Sequence, residues 1–160
     1  VHGVDISKGM IEIAQKQAKE KGIKNASFLC QPVESTPFED ESFSIIICRS
    51  AFHHFHDYEN IFEEMIRCCQ NGGRISIQDI VTYSDAKVDD FFEEFEREVD
   101  ISHHKSLSKE YIKNLYDRRN IKIGNTFEVE VELNVYEYLG HAQQSEVAKG
   151  RIIDLLEKGL

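Results

Sequence analysis

Short apolar runs alternate with helix-period segments along the first half of the chain. His2-Gly-Val-Asp5 reads as the end of a strand that stops on an acid. Ser7 then caps a helical pattern from Lys8 to Lys21, with Met10, Ile11, Ile13, Ala14 and Ala18 on its apolar face, and Gly22 stands where a helix-stopping glycine is expected. Ala26-Ser-Phe-Leu-Cys30 is a second strand, followed by a polar loop through Pro32 and Pro37. Phe43–Cys48 is a third, and its lack of polar alternation predicts cover on both faces. Glu59 to Cys69 is helical, Asn71-Gly72-Gly73 ends it, and Arg74-Ile-Ser-Ile-Gln-Asp79 is a fourth strand. Strands alternating with helices over short connections predict an α/β fold, a parallel sheet with helices on both faces.

Beyond Asp79 the rhythm changes. Ala86 to Val99 is an acidic helix pattern with Val88, Phe91, Phe92, Phe95 and Val99 on one side. A break at 102–107 precedes Ser108, which caps a helix through about Arg118 with half of a capping-box signature, since Tyr111 stands where Glu would complete it. Phe127 to Val135 alternates strictly and predicts a strand with one wet face. Ser145 caps a last helix to Lys158.

At 160 residues the natural expectation is one domain, and 41% hydrophobic content suffices for a core. Nineteen basic residues against twenty-nine acidic ones leave a net charge of −10, which opposes extended contact with phosphate backbones and argues against a nucleic-acid partner. The apolar runs are strand-sized, far below the ~20 residues that span a bilayer, so no membrane partner is expected. Cys30, Cys48, Cys68 and Cys69 have no CxxC spacing and mostly sit in apolar patterns, as in a reduced cytoplasmic protein with buried thiols.

Four segments carry the chemistry: V-x-G-V-D-I-S at 1–7, P-V-E-S-T-P-F-E-D-E-S-F at 32–43, C-R-S-A-F-H-H-F at 48–55 and N-G-G-R-I-S-I at 71–77. In this order and spacing they resemble class I S-adenosylmethionine-dependent methyltransferases, and most of all the small enzymes similar to those of ubiquinone and menaquinone biosynthesis. The resemblance covers about residues 1–120. It implies a Rossmann-like, mostly parallel sheet lacking its first strand and its last, in one partial domain over 1–160 with a helical substrate lid at about 84–118. S-adenosylmethionine is the implied cofactor and a small molecule the implied methyl acceptor, with a homo-oligomer left open.

By the same resemblance Asp5 holds both ribose hydroxyls, and a carboxylate can accept two O–H bonds at once. Its plain alternative is an acid that complements a helix N-terminus. Ile6 and Met10 would lie against the adenine. Family members usually have Asp-Ala in the next loop; here Pro32 takes the acid's place and offers neither carboxylate nor N–H. Val33 can still donate from its backbone, so one adenine hydrogen bond is lost or moved to Glu34, at ~1 kcal/mol for a net bond. Phe38 and Phe43 read as core. The backbone at Cys48 and Arg49 would meet the methionine portion, with Arg49 equally readable as a surface charge.

Five of the seven histidines fall in two clusters, His53, His54 and His56, and His103 with His104. A metal site is tempting, but adjacent histidines cannot both face one ion, and the reading favours none. Substrate contact or a structural role remain, and His53, His54 and His103 are the candidates for a general base toward a hydroxyl or phenol. Phe91, Phe92, Phe95 and Tyr111 read as core or as the lining of an acceptor pocket.

The strand and glycine-rich loop that precede the strand-two acid in this family do not occur before Val1. Two expectations compete: a piece of a longer enzyme, itself a weak cofactor binder and inactive alone, or a noncatalytic remnant or binding module that keeps the fold. A dinucleotide oxidoreductase shares the strand-end acid, but the Asn-Gly-Gly-Arg strand and the Phe-His-His-Phe segment speak against it.

Overall fold

The computed structural model describes residues 1–132, 134 and 146–158. Along them run β1 (His2–Asp5), α1 (Lys8–Glu20), β2 (Ser27–Cys30), β3 (Phe43–Arg49), a 3-10 turn (Phe52–His54), α2 (Tyr58–Cys68), β4 (Cys69–Gln78), α3 (Ala86–Val99), α4 (Lys109–Asp117) and α5 (Glu146–Lys158). The strands pair as two separate two-stranded sheets, β1–β2 and β3–β4, rather than as the single sheet expected. β1 and β2 are parallel, with His2 opposite Ser27 and Asp5 opposite Cys30. The chain divides into two compact units, one of Val1–Ile47 and Asp57–Ser76, the other of Cys48–His56 and the described residues from Ile77 on.

In the first unit the caps of α1 lie where the sequence puts them. The Ser7 side chain accepts from the Met10 N–H. At the far end Gly22 takes φ +65°, its N–H bonds to the Lys19 carbonyl at 3.1 Å and the Ile23 N–H to Ala18 at 2.8 Å. That pair of bonds is the Schellman arrangement, and it needs a left-handed residue at position 22. Ile11 is buried, while Met10 and Ile13 on the same helix stay exposed. Helix α2 is capped by Asp57, whose side chain accepts from Asn60, and it buries Ile61, Phe62, Met65 and Cys68. It ends at Cys68, and β4 begins at Cys69, so the Asn71-Gly72-Gly73 segment lies inside a strand rather than after a helix. Gly73 permits a close backbone approach: a Cβ there would meet Cys69 Sγ at 2.7 Å and the Ser44 carbonyl at 2.9 Å.

β3 is not covered on both faces. Ile45 and Ile47 are 58% and 67% exposed, because among the described residues β3 pairs only with β4. Phe38 and Phe43 do pack as expected, edge to face at 4.8 Å, with the His2 ring against both. The four thiols are free, but only Cys68 is fully buried. Cys30, at the end of β2, is exposed, contrary to expectation.

A polar clamp ties the 36–40 loop to α2. Arg67 bonds Glu64 through Nε (2.8 Å) and Nη2 (2.7 Å), the Phe38 carbonyl (2.8 Å) and Asp40 (2.7 Å), while Thr36 donates to Glu64 through both N and Oγ1 at 2.7 Å. The Arg67 bonds, with those from Thr36, hold the Glu64 carboxyl down at about 2 against the burial that would raise it. A carboxyl lower in the folded than in the unfolded state stabilises above its ordinary value of 4.5, and that stability is lost as pH falls through about 2. Melting temperatures measured from pH 5 to pH 2 should therefore fall more steeply for the native chain than for Glu64→Gln; equal slopes would refute the clamp's contribution.

The second unit is built around α3. Asp85 caps it by accepting from Lys87 and Val88, and Phe95 and Val99 pack with Ile152 of α5, flanked by Ile153 and Leu156. Helix α4 is capped by Ser108 at the Tyr111 N–H, as expected, and buries Leu115. A parallel bridge joins Val81 to Leu107. The strand expected over 127–135 does not form at 127–132 or at 134, where Phe127, Val129 and Val131 are 70% exposed or more. An alternating pattern needs a ladder partner, and none pairs with it among the described residues. Residues 133 and 135, and Ser145 as the last helix cap, lie outside the described set. Among the described residues no helix is long and apolar enough to cross a membrane.

Candidate functional site

The second unit brings His53, His54, His56, His103 and His104 together, with His53 held by one acid, Asp79. Asp79 follows β4 directly. Its Oδ2 accepts the N–H groups of Ala51 (3.2 Å), Phe52 (2.5 Å) and His53 (3.2 Å), and its Oδ1 accepts the Ile80 N–H at 2.8 Å. A 3-10 turn leaves its first N–H groups without internal partners, and Asp79 satisfies them, which is why Phe52–His54 forms where it does. The same carboxylate pairs with His53 Nδ1 at 2.5 Å, with only 2% of the Asp79 side chain exposed. An acceptor-only carboxylate facing Nδ1 assigns the proton there and leaves Nε2 as the basic nitrogen. Burial pushes the Asp79 carboxyl up, but the bonds from His53, Ile80 and Phe52 hold it below the usual range. Burial pushes His53 down, and the bond to Asp79 together with the fields of Asp79, Glu96 and Asp100 outweighs it, so the ring titrates above its ordinary value.

A second acid–imidazole pair backs the first. His103 is buried and its Nε2 lies 3.1 Å from Glu93 Oε2. Glu93 Oε1 accepts the Ser106 N–H at 2.9 Å. The His53 and His103 rings stack, with centroids 5.4 Å apart and 29° between planes. The His53 carbonyl accepts the N–H groups of His104 and Lys105, both at 3.0 Å. His54 Nδ1 lies 3.0 Å from the Ser102 carbonyl, and the His56 and His104 rings meet at 4.1 Å. Burial and the neighbouring His56, His103 and Lys105 keep His104 below its ordinary value. Both histidine clusters of the sequence thus meet in one place. No set of three metal-ligating side chains forms among the described residues.

Cys48 and Tyr116 close this unit's chemistry. Burial, with Asp79 adding to it, pushes the Cys48 thiol up to about 12. A thiol so high stays protonated and is not a nucleophile. Burial likewise pushes the Tyr116 phenol up to about 12, with Cys48 adding and a bond from the Ile77 backbone opposing. Arg49, the last residue of β3, is exposed.

The residues assigned to the ribose and adenine lie in the first unit. Asp5 ends β1, and its Oδ1 accepts the Ser7 N–H at 2.7 Å, an Asx turn that fixes the bend from strand to helix. Ile6 is 72% and Met10 54% exposed, so two apolar side chains stand open beside a carboxylate. A diol and a flat purine would fit such a surface. Pro32 is exposed and Val33 half-buried, and no side-chain acceptor occupies position 32. The carboxylate of Asp5 beside two open apolar side chains fits the chemistry of a nucleoside such as that of S-adenosylmethionine. An open groove of about 590 Å³ elsewhere in this unit, between α1 and β2 around Ala18, Gly22 and Phe28, contains none of the expected site residues.

Asp79 and Glu93 are what the sequence reading missed. A signal for Asp79 was present, since it is an acid just beyond a parallel strand, the property that singled out Asp5. Glu93 carried none, being one acid among many on an acidic helix.

A family model described as a methyltransferase domain matches residues 1–133. The uncharacterized methyltransferase YcgJ of Bacillus subtilis (strain 168) is 40% identical over 106 residues, 66% of this chain and 42% of that protein. The demethylmenaquinone methyltransferase of Lactococcus lactis subsp. lactis is 35% identical over 75 residues, 47% of this chain and 30% of that enzyme. The crystal structure of YcgJ matches with a TM-score of 0.90 at 28% identity, covering 99% of this chain and 68% of its own. A SAM-dependent methyltransferase from Aquifex aeolicus shares the fold with a TM-score of 0.62 at 18% identity, covering 81% and 62%. The matched region spans less than half the length of these two curated relatives. The family match, the ordered motifs and the shared α/β fold agree: the chain belongs to the class I S-adenosylmethionine-dependent methyltransferases.

Proposed function

We propose that the protein transfers a methyl group from S-adenosylmethionine to a small-molecule hydroxyl or phenol, with His53 as the general base. The observation that carries the reading is the 2.5 Å contact of His53 Nδ1 with the buried Asp79 carboxylate. It orients the ring, fixes its tautomer and stabilises the imidazolium that forms. Asp5 would hold the ribose hydroxyls, Ile6 and Met10 the purine face, Val33 its edge through the backbone, and the backbone at Cys48 and Arg49 the methionine portion. S-adenosylmethionine, when bound, supplies an activated methyl on a sulfonium and leaves as the neutral thioether. The chain's own part is alignment of the acceptor, exclusion of water and acceptance of the hydroxyl proton at His53 Nε2. The segment 84–118, with α3 and α4, would form the substrate lid, and His54 is the second candidate for contact with the acceptor.

Calorimetric titration of the full protein with S-adenosylmethionine tests the cofactor; no heat and no thermal shift would refute it. His53→Ala should lower methyl transfer to a phenolic acceptor by about 10²-fold, the scale of a lost general base, with cofactor affinity unchanged. Because His53 titrates above its ordinary 6.5, the acid limb of the native rate profile should lie above that pH. Full activity in His53→Ala would mean an acceptor that needs no base, whereas cofactor binding without any methyl transfer by the native protein favours the binding-module alternative.

A further inference from the structure

Glu93 makes more bonds than a helix-surface acid needs, and two of them lead back to His53. Its side chain is 8% exposed and that of His103 is 1% exposed, so the pair is formed out of water. Burying a carboxylate is costly unless its oxygens are engaged. Oε2 faces His103 Nε2 at 3.1 Å and Arg97 at 3.4 Å, and Oε1 takes the Ser106 N–H at 2.9 Å. One carboxylate on α3 thereby fixes the connection 103–106 at two points. Between those points the His104 and Lys105 N–H groups grip the His53 carbonyl, and the His103 ring stacks on the His53 ring. Asp79 holds His53 from the side of β4, and the Glu93-anchored connection holds it from the side of α3. Because Glu93 accepts at Nε2, the His103 proton sits there, and Nδ1, which meets no hydrogen-bond partner among the described residues, is left a bare acceptor.

We propose that Glu93 is a positioning residue for His53: through His103 and Ser106 it fixes the connection that clamps the His53 backbone and stacks on its ring. The inference rests on the reading of His53 as the base, but it can be tested without turnover. The measurement is a long-range proton–nitrogen spectrum of the imidazole rings in the full protein, for the native chain, Glu93→Gln and Glu93→Ala. In the native chain His53 should be a single Nδ1–H tautomer and His103 a single Nε2–H tautomer. Glu93→Gln keeps the volume but offers one acceptor in place of two. His103 should then lose its fixed tautomer, and exchange of the His53 Nδ1 proton with solvent should quicken by about tenfold, as for any proton guarded by a local closure. Unchanged His53 signals in a folded Glu93→Gln protein would overturn the proposal. If Glu93→Ala fails to fold, Glu93→Gln carries the test alone. Where Glu93→Gln alters the His53 ring but His53→Ala leaves methyl transfer intact, positioning stands and the base assignment falls, so the two failures are distinct.

Discussion

Asp79→Asn should be the most damaging single change in the second unit, lowering methyl transfer by about 10²-fold or more and stability by about 3 kcal/mol. The amide keeps one acceptor for the N–H groups of the 3-10 turn. It places its NH2 against both His53 Nδ1 and the Ile80 N–H, which both give a proton to Oδ1 in the native chain. One buried donor loses its partner, and the imidazole loses both its tautomer preference and its counter-charge. The sign of the pH effect follows from the directions of the two shifts. Asp79 is depressed, so its stabilisation is present above the ordinary carboxylate range and lost as pH falls through its folded value. His53 is raised, so its stabilisation is complete below about 6.5 and lost as pH rises through its folded value. Chemical denaturation across pH should show a native plateau between these limits that Asp79→Asn flattens. A variant with native stability and rate would disprove the coupling of acid, turn and ring.

Asp5→Ala is expected to weaken S-adenosylmethionine binding by about 100-fold. Two charge-assisted bonds to a ribose diol contribute ~1.5–3 kcal/mol each, and only part of that sum survives desolvation. Asp5 also bonds the Ser7 N–H, so a fall in affinity could come from a loosened turn rather than a lost ligand contact. Asp5→Asn separates the two. Its amide oxygen keeps the Ser7 bond and the helix cap, while the charge and one acceptor are gone. Weak binding in both variants with unchanged helix content by circular dichroism assigns the loss to the ribose. Native affinity in Asp5→Ala, measured by calorimetry, would remove Asp5 from the cofactor site.

Local signals in the chain decide the structure where the physics is local. The Ser7, Ser108 and Gly22 caps each depend on bonds within a few residues, and all three fell where the residue types placed them. The α3 pattern likewise gave its bounds, because a helix of fourteen residues repeats its apolar face several times. The misses share a cause. The cover of β3 and the strand at 127–135 were inferred from pattern alone, yet a pattern states a preference for burial or pairing and not the presence of a partner. Helix α2 ends at Cys68, one residue from the expected Cys69, but the Asn71-Gly72-Gly73 segment is not its stop: it lies in β4, where Gly73 serves the approach of β4 to β3.

By itself the sequence determined the family, the strand-end acid at position 5 and the two histidine clusters, because these rest on ordered motifs and residue chemistry. Only the tertiary structure decided that the clusters meet, some fifty residues apart in the chain. It also decided that Asp79 and Glu93 are the acids that orient them. Which carboxylate faces which imidazole is set by the tertiary contacts of Asp79 with the 3-10 turn and of Glu93 with the 103–106 connection, and no local spacing encodes a contact made across that distance.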